Sequence, residues 1–338
     1  MSSVWFFLLG LMLALYAILD GWDLGVGVIY LFLARTNSQR RLCLNAIGPL
    51  WNGNEVWLLF SGGALFMAFP RVYAVSFSGF YLPLMLVLWL LIGRGVSLEL
   101  RGEIDNALWR SFWDICFAAA STLLALLFGV ALGNVIGGLP LQANGAFQGT
   151  FSLLLNIHSV VVGLFAVALL ALHGANFLCW RTEGTLHDRS REISRRLLIP
   201  VCVLAAGAPL AAHYSRPGFM DSFARYPVAD LAPLLVLILL TSTVYFSIRG
   251  RDSAAFFSGG TLILTLLASA ATSVYPYLLY SNINPAYSLT VTNASAPYNG
   301  LVSGLIAVGI PMLAVIVYQV VIHRLFFQKL TGREKDGY

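Results

Sequence analysis

Long apolar runs alternate with short polar segments along nearly the whole chain. Nine runs are long enough to cross a membrane as helices, because about 20 residues span a hydrocarbon core at a rise of about 1.5 Å per residue. The predicted spans are residues 4–34, 45–69, 74–98, 112–136, 150–179, 196–214, 228–248, 254–280 and 300–328. The pattern predicts an all-α integral membrane protein, with residues 1–338 forming one polytopic domain.

Composition agrees with this class. Of the 338 residues, 59% are hydrophobic and only 10% are charged, whereas about a quarter of the residues of a soluble domain carry a charge. The net charge of +5 does not indicate a nucleic-acid-binding protein, because the basic residues form no patch of the kind that binds nucleic acid.

The basic residues are distributed unevenly between the connections. All but three of the 20 Lys and Arg residues follow spans 1, 3, 5 and 7 or lie in the C-terminal tail; the exceptions are Arg71, Arg216 and Arg225. Cytoplasmic connections carry such an excess of positive charge. The asymmetry predicts an N-terminus outside and a C-terminus in the cytoplasm, which requires an odd number of spans.

Three acidic residues fall inside the predicted spans. Asp20 and Asp23 are three residues apart in span 1 and therefore share a helix face. Glu55 lies in span 2, close to Asn52. Counted from the cytoplasmic ends of their spans, Asp23 and Glu55 are both roughly 15 Å deep.

A charged carboxylate at that depth costs about 3 kcal/mol, so these acids are expected to face protein or water. Two interpretations remain open. In the first, hydrogen bonds to neighbouring helices satisfy the acids, or the two aspartates position the glycine-rich segment that follows them. In the second, burial keeps at least one acid close to neutral, so that it takes up and releases protons along a hydrated path.

Further polar and aromatic positions are candidates for a subunit interface or for ion pairs at the inner boundary. They are Trp51, Trp57, Arg94, Glu99 and Arg101. Arg94, Glu99 and Arg101 alternate in sign, which favours ion pairing within the chain or to a partner, although a solvated helix end gives the same pattern. His158 and His173 are about 22 Å apart along one helix and cannot bind one metal ion. We predict no metal site and no cofactor site.

Several segments, taken in order, resemble subunit II of the cytochrome bd quinol oxidases. The resemblance extends from the first span to the loop before the last, with similar length and span count. The segments are LDGWDLGVGV (19–28), GPLWNGNEVWLLFSGGALFMAFP (48–70), FSGFY (77–81), LHGANFLCWRTEG (172–184) and NPAYSLTVTNAS (284–295).

The resemblance implies a haem-free subunit of a complex that oxidises quinol and reduces dioxygen to water in a bacterial or archaeal cytoplasmic membrane. It implies two four-helix bundles plus one further helix, packed against a subunit I that holds haems of b and d type. Small single-span accessory subunits would be further partners, beside membrane lipid and quinol. Whether a structural quinone binds to this chain is left open.

The family assigns an acidic residue of span 2 to a proton pathway from the cytoplasm, and that position is Asn52 here. An asparagine does not titrate. Glu55 is three residues further on, hence on nearly the same helix face. We therefore expect Glu55 to relay protons and Asn52 to orient water, with Asp23 and Asp20 on the same pathway.

Two other functions remain as alternatives. A proton-coupled secondary transporter would also contain buried carboxylates and helices interrupted by proline. A purely structural subunit would hold and shield a redox partner and would have no proton role.

Overall fold

A computed structural model describes residues 1–216 and 231–330. Almost all of this part is helical, which confirms the predicted all-α class, and it contains one small β-ribbon. The helices are α1 (Ser2–Leu33), α2 (Asn37–Ile47), α3 (Trp51–Ala68), α4 (Pro70–Gly79), α5 (Tyr81–Leu100), α6 (Ala107–Gly137), α7 (Phe151–Leu154), α8 (Ile157–Arg181), α9 (Gly184–Ser215), α10 (Leu231–Arg249), α11 (Asp252–Val274) and α12 (Tyr298–Phe326).

Eight of the described helices are long and apolar enough to cross a membrane: α1, α5, α6 and α8 to α12. The predicted second span, 45–69, corresponds to the end of α2 and to α3. Helix α3 has 18 residues, and the polar side chains of Asn52, Asn54 and Glu55 lower its apolar character. The count of nine spans and the orientation of the chain remain predictions.

The predicted third span, 74–98, is divided between α4 and α5 at Phe80. Pro83 lies in the first turn of α5 and has no N–H for the carbonyl of Gly79, with which its ring would clash. A continuous helix through this point is therefore disfavoured. Pro70 occupies the first turn of α4, where a missing N–H costs nothing.

Three other predicted boundaries differ from the structure. Helix α8 begins at Ile157 and not at 150, because the Asn156 side chain caps it by accepting a hydrogen bond from the backbone N–H of Ser159. Helix α9 begins at Gly184, well before the predicted sixth span. Helix α11 ends at Val274 and not at 280, because Pro276 disfavours a helical conformation of the residue before it, Tyr275.

A β-ribbon follows α11. Strand β1 (Tyr277–Leu279) pairs antiparallel with β2 (Leu289–Thr290), and a short 3₁₀-helix, Pro285–Tyr287, lies between them. The start of the predicted seventh span, 228–230, lies outside the described residues.

Helices α1 and α8 lie at the centre of the packing. Helix α1 contacts α3, α6, α8 and α11, while α8 also contacts α6, α9 and α11; α12 packs on α3. A Cβ atom on Gly25 would lie 1.8 Å from the carbonyl oxygen of Leu170, and one on Gly174 would lie 2.3 Å from the backbone nitrogen of Val26. Glycine at these positions lets the two backbones touch, as in other close membrane helix pairs.

Candidate functional site

The two aspartates of α1 are completely buried. Asp20 and Asp23 each have 0% of their surface exposed, and their side chains meet polar groups from α3 and α5. The burial of two acids within three residues is costly unless both find partners. Their partners differ, and the difference defines the site.

Asp20 forms a bidentate ion pair with Arg94 of α5. Nη1 of Arg94 lies 2.7 Å from Oδ2 of Asp20, and Nη2 donates to Oδ1. Arg94 is itself only 1% exposed, so it is not at a solvated helix end, and it forms an ion pair within the chain as predicted; its level in the membrane remains a prediction. The fork of two N–H groups matches the carboxylate in geometry and charge.

Asp23 is held by an amide and not by a cation. Nδ2 of Asn54 in α3 donates to Oδ2 of Asp23 at 2.8 Å and to the backbone carbonyl of Leu19 at 3.1 Å. Oδ1 of Asp23 is buried and has no hydrogen-bond partner in the described part of the chain. This carboxyl group therefore keeps one oxygen available.

Helix α12 supplies the next member of the same network. Nε2 of Gln319 donates to the carbonyl oxygen of Gly53 at 3.1 Å and to Oδ1 of Asn54 at 3.1 Å. Gln319 is 7% exposed, and its Oε1 atom has no partner among the residues described. Three helices, α1, α3 and α12, are thus joined by a chain of side-chain amides that ends at Asp23.

Glu55 lies at the edge of this network. Its side chain is half-buried, and it interacts electrostatically with Arg94 and Asp20. Across residues 1–216 and 231–330, no hydrogen bond or ion pair holds its carboxylate. Asn52, one turn earlier, is exposed on the outer side of α3. The roles predicted for Glu55 and Asn52 remain predictions.

A third buried acid lies at the predicted inner boundary. Asp114 of α6 is 1% exposed and accepts hydrogen bonds on both oxygens. Oδ1 accepts from Nε of Arg101 at 2.6 Å and from the Tyr30 hydroxyl at 2.5 Å, and Oδ2 accepts from Nη1 of Arg40 at 2.7 Å. Arg101 also donates to Asn37 at 2.8 Å. We call Asp114, Arg101, Arg40, Tyr30 and Asn37 the inner cluster.

Cys43 is a neighbour of the inner cluster. Burial raises the pKa of the Cys43 thiol to about 12, although the charge of Arg101 acts in the opposite direction. The thiol is therefore uncharged at neutral pH. Asp114 supplies the negative charge that faces Arg101 and Arg40.

The remaining predicted interface residues have different positions. Trp51 and Trp57 are only 8% and 3% exposed, so the prediction that they form a subunit surface is wrong for this chain. Both share the inner face of α3 with Asn54, at offsets of three residues. Glu99 is exposed at the end of α5 and has no ion pair within the described ranges.

An aromatic cavity of about 320 Å³ lies between α1, α8, α11 and α12. Trp22 and Phe256 form part of its wall together with His173 and His323. The His173 ring stacks on Phe256 with centroids 4.9 Å apart. Three buried nitrogen atoms, Nε1 of Trp22, Nδ1 of His173 and Nε2 of His323, have no hydrogen-bond partner in the part of the chain that the structure describes.

Histidine, cysteine, aspartate and glutamate side chains do not converge on a metal centre in the described residues: no group of three or more could hold an ion. His158 lies in the first turn of α8 and His173 in the second half of the same helix, and the two side chains do not meet. The candidate site is therefore a network of carboxyl and amide groups.

Sequence reasoning missed Asn54, Gln319 and Asp114. Asn54 shares its helix phase with Trp57, Ser61, Ala64 and Ala68, the buried stripe of α3. This spacing of three and four residues is visible in the sequence and could have separated the inward-facing Asn54 from the outward-facing Asn52. Gln319 is a polar residue within a long apolar run, which is the signal that singled out the acids.

The comparisons with known proteins agree with one another. The family model described as "Cytochrome bd terminal oxidase subunit II" matches residues 1–326. The chain is 34% identical to the "Probable cytochrome oxidase subunit 2" of Haemophilus influenzae, over 87% of this chain and 85% of that protein. It is 33% identical to the "Cytochrome bd ubiquinol oxidase subunit 2" of Bacillus subtilis, over 88% and 87%.

A solved structure has a similar fold. It is the bd oxidase from Geobacillus thermodenitrificans, with a TM-score of 0.78 over 96% of this chain and 98% of that chain. The sequence identity is 20%, so this likeness concerns the fold alone.

Proposed function

Because the chain belongs to the cytochrome bd terminal oxidase subunit II family, we propose that it is the haem-free subunit II of a bd-type quinol oxidase. The complex oxidises membrane quinol and reduces dioxygen to water in the cytoplasmic (inner) membrane. The match of the family model across residues 1–326 carries this proposal. The haems of b and d type belong to a partner, subunit I, and supply the electron transfer and oxygen chemistry when bound there.

The proposed arrangement has nine spans, two four-helix bundles and one further helix. Helices α1, α3, α5 and α6 form the first bundle and α8 to α11 the second, with α12 as the additional helix. The contacts of α1 with α3 and α6, of α8 with α9 and α11, and of α12 with α3 support this grouping. The excess of basic residues in alternate connections supports a cytoplasmic C-terminus.

The surface proposed to meet subunit I is the outer face of α3. Asn52, Leu59, Gly63 and Phe66 are exposed there, and the half-buried Glu55 lies between them. A carboxyl group at this depth is costly in contact with lipid. A protein partner that covers this face of α3 removes that cost. Small accessory subunits would then bind to other apolar faces.

Glu55 is proposed to deliver protons from the cytoplasm toward the partner. Proton transfer needs a group that binds and releases a proton easily, and Glu55 is half-buried and is not fixed by an ion pair in the described residues. Asn52 lies one turn away on the same exposed face and can orient water. Asp23 is a second candidate station because Oδ1 has no partner, whereas both oxygens of Asp20 are bound to Arg94.

The aromatic cavity is the proposed site of a structural quinone. The aromatic side chains of the wall, among them Trp22 and Phe256, offer surfaces against which a flat ring can pack. The indole N–H of Trp22 can donate to a ring carbonyl, and the nitrogen atoms of His173 and His323 without partners can bind further polar groups. Quinone extracted from the purified complex is expected to decrease when Trp22 is replaced by leucine.

A purely structural role is the second candidate function. The bidentate Asp20–Arg94 pair and the inner cluster favour it, because each joins helices through an aspartate that accepts hydrogen bonds on both oxygens. In that case the chain holds subunit I in place and protons travel elsewhere.

Purification of the tagged chain in mild detergent tests the proposed complex. We expect a coloured preparation with a second, haem-bearing chain and the absorption spectrum of b- and d-type haems. A colourless protein that purifies alone and moves a solute across vesicles would instead identify a proton-coupled transporter.

Replacement of Glu55 by glutamine tests proton delivery. The variant keeps the shape of the side chain but cannot titrate, and we expect quinol oxidase turnover to fall about a hundredfold, the usual scale for a lost proton-transfer group. Glu99→Gln is the matched control, since Glu99 is exposed on α5. Wild-type turnover in Glu55→Gln would favour the structural role.

A further inference from the structure

Gln319 is a buried polar side chain in an otherwise apolar stretch of α12. Its neighbours along the helix, Ile316, Val317 and Val320, are exposed and apolar, whereas Gln319 points inward at 7% exposure. Gly53 makes room for it, because a Cβ atom at that position would lie 3.0 Å from Oε1 of Gln319. Burial of the Gln319 amide in a membrane helix costs free energy unless hydrogen bonds replace those to water. The residue is therefore expected to have a role that depends on its hydrogen bonds.

The direction of each hydrogen bond in the network is fixed by its neighbours. A backbone carbonyl only accepts, so the carbonyl of Gly53 must face the NH₂ group of Gln319. That same NH₂ group then faces Oδ1 of Asn54. The carbonyl of Leu19 also only accepts, so it and Gln319 favour the same orientation of the Asn54 amide, with its NH₂ group toward Leu19 and Asp23.

The consequence falls on Asp23. Its Oδ2 atom accepts a hydrogen bond from Asn54, and its Oδ1 atom has no partner among the described residues. A reversed Asn54 amide would present an oxygen to Oδ2, and two facing acceptors repel unless Asp23 carries a proton between them. The orientation of the amide thus decides which oxygen of Asp23 can bind a proton.

Charge balance points to the same carboxyl group. Arg94 is the cation that faces these acids, and Asp20 occupies it with two hydrogen bonds. Asp23 and Glu55 are the remaining acids of the site, with the hydroxyl of Tyr16 close to Asp20. Of the two, Asp23 is completely buried and depends on its hydrogen bonds.

We propose that Gln319 is a positioning residue for Asp23: together with the carbonyl of Leu19 it holds the Asn54 amide in one orientation, which directs protons to Oδ1 of Asp23 and away from Oδ2. This inference rests on the proposed function in proton delivery. Gln319 does not exchange protons with the relay; it acts through Asn54. Helix α12 thereby contributes to a pathway whose acids lie on α1 and α3.

Infrared difference spectroscopy of the purified complex, with ¹³C-labelled aspartate, tests the proposal directly. The carboxyl bands of Asp23 are identified as those that Asp23→Asn removes. In Gln319→Leu the Oδ1 atom of Asn54 loses its donor, the amide is held by the Leu19 carbonyl without Gln319, and we expect these bands to shift. Val320→Leu, a neighbouring substitution on the exposed side of α12, is expected to leave them at their wild-type positions.

The Gln319→Glu variant keeps the proposal testable if the leucine variant fails to fold. A protonated glutamate has nearly the same size and can donate one hydrogen bond, so its Asp23 bands should lie between those of wild type and Gln319→Leu. Turnover is expected to fall about tenfold in Gln319→Leu and less in Gln319→Glu. Asp23 bands that do not move in either variant would overturn the proposal.

The spectra separate this proposal from the proposed function. Unchanged Asp23 bands together with slow turnover of Glu55→Gln would refute the role of Gln319 alone. Shifted Asp23 bands together with normal turnover of Glu55→Gln would support the orientation of Asp23 by Gln319 and refute proton delivery through Glu55.

Discussion

Asp114 and Asp23 are both buried carboxyl groups, but their oxygen atoms have different partners. Asp114 accepts from Arg101, Arg40 and Tyr30, so that both oxygens are occupied. Asp23 accepts one hydrogen bond from an amide, and its second oxygen has no partner in the described residues. The Asp114 carboxylate is thus held on both oxygens, whereas the Asp23 carboxyl group keeps one oxygen that can form a further hydrogen bond.

The difference suggests two kinds of polar site in one membrane protein. The inner cluster is a set of ion pairs and hydrogen bonds that joins α2 to one end of α1, α5 and α6. Among the described residues, the site around Asp23 and Glu55 contains three acids, Asp20, Asp23 and Glu55, and one arginine, Arg94. Saturation of hydrogen bonds thus separates a structural site from a candidate functional one.

Loss of Arg94 is expected to have the largest effect. Arg94→Leu leaves Asp20 buried without a counter-charge, and removal of one partner from a buried pair costs about 4 kcal/mol. Thermal unfolding of the complex, followed by tryptophan fluorescence, measures the loss. The double variant Asp20→Leu/Arg94→Leu should regain most of it, because both charges are gone; a double variant as unstable as Arg94→Leu alone would contradict this account.

Loss of the central carboxylate of the inner cluster should also destabilise the protein, but less than loss of Arg94. Asp114→Asn leaves Arg101 buried beside Arg40, and we expect a loss of about 3 kcal/mol, since the Arg40 side chain is 26% exposed and can reach water. Turnover per folded complex should stay near the wild-type value. Asp105→Asn, at a surface ion pair with Arg110, is the control and should unfold like the wild type.

Asp23→Asn is expected to do the opposite of Asp114→Asn: turnover falls and stability is kept. The substitution keeps the shape of the side chain and removes a site for the proton, so we expect stability to stay near wild type while turnover falls about tenfold, or roughly 1.4 kcal/mol in the barrier. Steady-state quinol oxidation and thermal unfolding on the same preparation measure both. A large loss of stability with normal turnover would show that Asp23, like Asp114, is a structural carboxylate.

Glu99→Gln is expected to have the smallest effect. Glu99 is exposed, and solvent screens its charge. Turnover and unfolding midpoint should both match the wild type. A marked fall in turnover would show that the exposed end of α5 also carries protons, and the contrast between saturated and unsaturated sites would then be incomplete.

The apolar runs predict the fold well because the membrane imposes a simple requirement: each span must be long, apolar and helical. The boundaries at Phe80, Asn156 and Pro276 depend on local rules of proline and capping that hydropathy does not record. The β-ribbon after α11 lies in a run that hydropathy alone assigns to a helix.

The site was harder to predict than the fold. The acids Asp20, Asp23 and Glu55 are visible in the sequence because they interrupt apolar runs. Their partners are not, because Arg94 and Gln319 come from helices that are distant in sequence. No periodicity shows which helices meet, so the sequence predicted an ion pair for Arg94 but not that Asp20 is the partner.

Proton uptake during a single turnover tests the central claim most directly. In proteoliposomes, a pH-sensitive dye on the cytoplasmic side and the membrane potential are followed after oxygen is mixed with the reduced complex. We predict that Glu55→Gln slows proton uptake and charge separation about a hundredfold, while Glu99→Gln behaves like the wild type. Wild-type kinetics in Glu55→Gln would contradict the account.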